Sequence, residues 1–116
     1  IPKIEKNLIN EALLNKFNHL KENAPKWSTI NFWNQMFITV QLCRIIYSIK
    51  NKNYVVSKKE ATKWCLENVP DKFTSMIKIA LEGINNWEKP MSQEITKKLF
   101  DLMEYTGHLF STHLLM

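Results

Sequence analysis

The stretch at residues 32–49, FWNQMFITVQLCRIIYSI, constrains the fold more than any other part of the chain, because it is helix-length and apolar on nearly every side. Ile38, Leu42, Ile45, Ile46 and Ile49 recur at three- and four-residue spacing, and Phe37, Val40, Cys43 and Tyr47 add apolar surface around the rest of the cylinder. Such a helix needs cover on all sides, so the remaining segments must provide it. The only arginine of the chain, Arg44, stands near its centre. A guanidinium stays charged, so there it needs either a carboxylate partner, with Glu60 and Glu104 as candidates, or a cleft that receives a phosphate or carboxylate. Gln41 and Ser48 lie on the same helix line and extend Arg44 into a polar strip.

The flanking segments have the right patterns for cover. Ile4, Leu8, Leu13, Phe17 and Leu20 form one stripe behind Pro2 and predict a first amphipathic helix over residues 4–22. Pro25 predicts a connector at 23–30, with Ser28 and Thr29 as caps for the central helix. That helix runs to about residue 50 and stops in the polar run 50–53, followed by a brief extended piece, Tyr54-Val55-Val56. Ser57 and Glu60 match a capping box, so a third helix begins there with Ala61, Trp64, Cys65 and Val69 inward. Pro70 suits the first turn of a fourth helix, whose stripe is Phe73, Met76, Ile77, Ala80, Leu81, Ile84 and Trp87, with Gly83 inside the run. Pro90 and Ser92 separate it from a fifth helix with Ile95, Leu99, Leu102, Met103, Thr106, Phe110 and His113 in phase. The expected fold is a single all-α domain over residues 1–116, a five-helix bundle around the central apolar helix at about residues 32–50.

Composition narrows the chemistry. A chain of 116 residues that is 45% hydrophobic holds one core, and 2 Gly with 4 Pro leave little for hairpins or phosphate-cradling loops. The charge of +5 comes from lysines spread along the length, the mark of a solvated surface rather than of a nucleic-acid interface. Cys43 and Cys65 each stand alone on an apolar face, which reads as two reduced core thiols. No charged leader precedes an apolar run, and Gln41 and Arg44 interrupt the most apolar stretch short of the roughly 20 residues that span a bilayer. A cytoplasmic protein without a membrane partner is expected. Ile1 rather than Met leads the sequence, as in a fragment, a processed product or an excised domain.

No catalytic constellation stands out. His19, His108 and His113 are not at metal-ligand spacing, Ser57 is explained as a cap, and no close pair of aspartates offers a magnesium site. Binding is better represented. Lys58 and Lys59 fall in the first turn of the third helix, where cations oppose the helix dipole but would join backbone donors around an anion; a solvated pair is the alternative. Tyr105 lies on the shoulder of the fifth helix, either as a boundary residue or as a ligand contact. Trp64 and Trp87 are in phase with their core stripes. Trp27 and Trp33 flank a loop and can border a cleft.

Leu42-Cys-Arg-Ile-Ile-Tyr-Ser48, then Ser57-Lys-Lys-Glu-Ala61, then Trp64 with Pro70 six residues on, resemble in order and spacing the carboxyl-terminal helical domain of aminoglycoside adenylyltransferases, the spectinomycin and streptomycin nucleotidyltransferases. The resemblance spans most of the chain. It implies a two-domain enzyme in which an amino-terminal nucleotidyltransferase domain supplies the Gly-Ser motif, the carboxylates for Mg²⁺ and the catalytic base, while ATP and the drug lie between the domains. This chain would be part of such an enzyme and not catalytic alone, with no cofactor held tightly by it. By resemblance Arg44, Lys58 and Tyr105 are nucleotide-binding, and Trp27, Trp33 and Asn34 face an aminoglycoside or aminocyclitol. Asn34-Gln35-Met36 stands where family members commonly have Asp-Glu-Arg, and Ile30 falls near a further Asp associated with streptomycin, so spectinomycin is favoured as the substrate. The competing expectation is a free-standing helical module that partners a separate minimal nucleotidyltransferase. The Arg-x4–6-His motif of ribonucleases with a similar bundle is absent after Arg44.

Overall fold

The computed structural model describes residues 2–29, 31–83 and 93–113, with the side chains of residues 2–9 and of His113 outside the description. The described residues form five α-helices: α1 (Pro2–Trp27), α2 (Phe32–Asn51), α3 (Lys58–Asn68), α4 (Thr74–Glu82), entered through a 3-10 turn at Asp71–Phe73, and α5 (Gln93–His113). The chain is thus the all-α bundle that its periodicity predicts. At its centre lies α2, which packs against α1, α3, α4 and α5.

The residues of α2 account for that position. Met36, Ile38, Leu42, Cys43 and Ile46 have no exposed surface, and neither do the polar Gln35 and Thr39. Both polar side chains are satisfied where they lie: Thr39 Oγ1 donates to the Gln35 carbonyl at 2.8 Å, and Gln35 Nε2 donates to Thr96 Oγ1 on α5 at 2.6 Å. Gln35 therefore bridges the central helix to α5. At the start of α2 the Asn31 side chain accepts from the Asn34 N–H at 2.8 Å. At its end Lys52 takes left-handed backbone angles, φ 51° and ψ 37°, and turns the chain out of the helix.

Two local expectations need correction. The first helix does not stop before Pro25 but runs through it to Trp27. Pro25 lacks an N–H, so only the Lys21 carbonyl loses its helical donor, and both residues are exposed, leaving that oxygen to water. The connector accordingly shrinks, and Ser28 and Thr29 finish α1 instead of capping α2. The Ser28 N–H reaches the Ala24 carbonyl at 2.9 Å, and Thr29 Oγ1 donates to the Lys26 carbonyl at 2.7 Å. Asn31 is the cap of α2 because it alone has its acceptor three residues ahead of a free donor, as the distance to Asn34 shows.

Beyond α2 the cover assembles largely as expected. Ser57 Oγ accepts from the Glu60 N–H at 3.1 Å and opens α3, which buries Ala61 and Cys65. Cys65 Sγ donates to the Cys43 carbonyl at 3.4 Å, and both thiols are free and buried. The hydrogen bond with Cys65, then burial, then the neighbouring Cys65 charge hold the Cys43 thiol well above its usual range. Pro70 precedes the 3-10 turn instead of sitting within the fourth α-helix. Phe73, Met76, Ile77 and Ala80 are buried. Gly83, expected inside the helical run, is its C-cap, its N–H reaching the Ile79 carbonyl at 3.1 Å; poor helix propensity suits it to that place. The expected continuation through Ile84 and Trp87, and the break at Pro90 and Ser92, lie outside the described residues. On α5, Ile95, Leu99, Leu102, Met103, Thr106 and Phe110 are buried in phase. Gly107 brings α5 close to α1: a Cβ there would stand 3.4 Å from the Phe17 ring, which itself lies 5.2 Å from the Phe110 ring.

Candidate functional site

Arg44 is half-buried on α2. Neither Glu60 nor Glu104 pairs with it, nor does any other carboxylate among the described residues; Glu104 instead stands 4.0 Å from His108 on its own helix. Ser48, one turn further, satisfies itself by donating to the Arg44 carbonyl at 2.9 Å, so it leaves the guanidinium alone. What Arg44 meets is positive. Partial burial, then the charge of Arg44, then that of Lys58, all hold the Lys16 amine below its ordinary value of 10.5. Arg44 and Lys58 are thus each near enough to Lys16 to act on its charge.

Lys16 itself is exposed, beside the inward face of α1 on which Phe17, Leu20 and Ala24 are buried. The loop after α2 is drawn back to the same helix by Tyr54, whose hydroxyl donates to Asn10 Oδ1 at 3.1 Å. That loop ends at Ser57, the cap of α3, whose first residue is Lys58. Sequence reasoning singles out Arg44 and Lys58 and passes over Lys16, one lysine among many on an amphipathic helix.

Tyr105 is placed elsewhere. Its ring packs on Phe73 at 5.8 Å, and it lines a shallow pocket of ≈270 Å³ with Lys72, Asp101, Glu104 and His108. Burial, and then the proximity of Cys65, hold its hydroxyl above the usual range. Arg44 and Lys58 are each felt by Lys16, while among the described residues neither of them lines the pocket beside Tyr105.

The three aromatic and polar residues expected to face a substrate do meet. Trp27, Trp33 and Asn34, with Phe37, line a pocket of ≈260 Å³ at the junction of α1 and α2. Trp33 and Phe37 stack with their ring centroids 5.4 Å apart and planes 12° from parallel, while His19 meets Trp27 edge-on at 5.6 Å. Trp33 is 50% exposed. Among the described residues no carboxylate lines this pocket. A larger cavity of ≈610 Å³ between α1 and α5 is bounded mainly by apolar side chains, Phe17, Phe100, Met103 and Phe110 among them.

An arginine without a carboxylate partner among the described residues and an aromatic corner at the start of the same helix are the two features that stand out. The family model described as "Aminoglycoside adenylyltransferase, C-terminal domain" matches residues 1–108. The chain belongs to this family. No curated protein and no solved structure matches it. Membership in an aminoglycoside adenylyltransferase C-terminal domain family places an amino-terminal domain beside such a chain in the family's enzymes. Among the described residues no helix is long and apolar enough to cross a membrane. Nor do three or more His, Cys, Asp or Glu side chains gather among them into a metal site. What the described residues offer a nucleotide reaction is positive charge and aromatic surface.

Proposed function

We propose that this chain is the nucleotide- and substrate-binding half of an aminoglycoside adenylyltransferase, which transfers AMP from ATP to a drug hydroxyl and so confers antibiotic resistance. The observation that supports the reading is that Arg44, half-buried on the central helix, has no carboxylate partner among the described residues, while it and Lys58 both act on the Lys16 amine. Arg44 presents a planar fork suited to two phosphate oxygens, and Lys58 adds a point charge beside the backbone donors that open α3. In that role they bind and orient the triphosphate and stabilise charge that grows on it during transfer. We assign Mg²⁺ and the base that activates the hydroxyl to the amino-terminal nucleotidyltransferase domain; among the described residues of this chain no three His, Cys, Asp or Glu side chains gather. The aromatic corner of Trp27, Trp33 and Asn34 receives the drug by stacking and by neutral hydrogen bonds. Without a carboxylate it suits spectinomycin better than the more strongly cationic streptomycin.

The test uses the complete gene product that contains this chain, incubated with ATP, Mg²⁺ and either drug, with the added AMP read by mass. Adenylylated spectinomycin is the expected product. Arg44→Ala and Lys58→Ala should each lower kcat/KM by about 100-fold, whereas unchanged kinetics in both would remove the nucleotide site from these residues. Tyr105→Phe settles the third residue: lost activity assigns its hydroxyl to the ligand, and full activity leaves it packing on Phe73.

A further inference from the structure

We propose that the groove between α1 and α5 is a self-association surface, closed by a second copy of this chain packed across a two-fold axis that runs along the groove. The inference is independent of the nucleotide reading above and draws on none of its residues.

Both helices are seated on α2, and two contacts fix their relative direction. Thr96, near the start of α5, accepts from Gln35 in the first turn of α2, just past the end of α1. Gly107 and Phe110, further along α5, meet Phe17 in the middle of α1. The two helices therefore run antiparallel. With Phe17 opposite the turn from Gly107 to Phe110, one turn on brings Lys21 level with Glu104 and the next brings Pro25 level with Phe100. These residues line one cavity of ≈610 Å³, whose floor is the buried Phe17, Met103 and Phe110. Its rims carry opposite charge. Lys21 is exposed on the α1 side and Glu104 is exposed on the α5 side, and among the described residues no ion pair joins them. Phe100, 39% exposed, is a large apolar side chain left open at one end of the groove.

A half-turn about an axis along the groove keeps every level and exchanges the two rims. Lys21 of one copy then comes over Glu104 of the other, twice by symmetry, and Phe100 of each comes over the Pro25 end of the other, with α1 of one copy antiparallel to α5 of its mate. Like charges on both rims would make such a groove repel a copy of itself, whereas opposite charges at one level make it self-complementary. A small apolar molecule on the floor would leave both rim charges unmatched, and an unrelated helix would need an acid and a base in the same register. The groove from Leu14 to Pro25 is roughly 16 Å long. That is a small interface, so the dimer is of the weak, concentration-dependent kind.

The test follows the complete gene product that contains this chain by sedimentation velocity, from about 5 µM to about 500 µM. Wild type should pass from monomer toward dimer over that range. Lys21→Glu and Glu104→Lys, both at exposed positions, should each weaken association at least about 10-fold, and Phe100→Ser should weaken it about 10-fold, with helical circular dichroism unchanged in all three. Mixing is the decisive step. In an equimolar mixture of the Lys21→Glu and Glu104→Lys variants every rim charge again meets its opposite across the axis, so a heterodimer should form where each variant alone associates poorly. A wild type that stays monomeric at the highest concentration overturns the proposal; if both charge variants of that monomer also melt at lower temperature, another part of the same polypeptide fills the groove. A dimer that survives all three substitutions forms through a different face. A mixture no more associated than its components means that Lys21 and Glu104 do not meet across copies, and either of these results overturns the proposal as well.

Discussion

Lys16 carries a consequence for stability. Its amine has a lower pKa in the folded chain than its ordinary 10.5, so the unfolded chain holds this proton more tightly. Stability therefore rises as pH climbs through the window between the lowered value and 10.5, and below that window the charged amine opposes folding in full. Lys16→Met should accordingly raise the melting temperature at pH 7 by about 1–3 °C, a small effect because the side chain is largely exposed and screened. The gap between variant and wild type should close as pH approaches 10. Melting curves recorded from pH 7 to pH 10 check this, and a variant less stable at pH 7 would mean that Lys16 contributes packing rather than repulsion. The same residue marks the limit of what the sequence shows about the charges around Arg44. Arg44 was legible as the only arginine on an apolar helix, and Lys58 as a cation against a helix dipole. Lys16 was one lysine among many on an amphipathic helix, and what distinguishes it is the nearness of Arg44 and Lys58.

At the scale of elements, periodicity found every helix, because burial on one face is written into three- and four-residue spacing. Ends were harder. Pro25 has the local signature of a helix breaker, yet it removes a single hydrogen bond at an exposed final turn, so α1 passes through it. Ser28 and Thr29 have capping chemistry, but with α1 extended they fall at its end, and Asn31 inherits the cap of α2. Ser28 is left buried with its hydroxyl unpartnered among the described residues. Gln35 and Thr39 are polar yet enclosed on α2, and the hydrogen bond from Gln35 to Thr96 depends on where α5 lies and cannot be seen in spacing. The other end of α2 offers a direct test. Lys52 is the only non-glycine residue with positive φ among those described, and a side chain at φ 51° is strained where glycine is not. Lys52→Gly should stabilise the chain by up to about 1 kcal/mol in urea unfolding, the relief of strain exceeding the added freedom of the unfolded chain. A loss of stability would show that the Lys52 side chain makes a contact worth more than the strain.

For the whole molecule the decisive arrangement is that α2 touches every other helix, so no helix pair can part from the rest without exposing the central one. Any ligand site that draws on more than one helix depends on the same arrangement, so binding there is coupled to global folding and should raise the melting temperature as the site fills. Leu42 tests the central role most directly. It is fully enclosed in the middle of α2, and truncation leaves a cavity that rigid neighbours fill only in part. Leu42→Ala should therefore cost about 2–5 kcal/mol, with the urea transition shifted to lower concentration and its slope unchanged. Circular dichroism and tryptophan fluorescence should report the same midpoint in wild type and variant, since backbone helices and aromatic corner unfold as one unit. Separate midpoints would mean that α1 or α5 leaves before the rest, and that contacts from another domain complete the core in the family's enzymes.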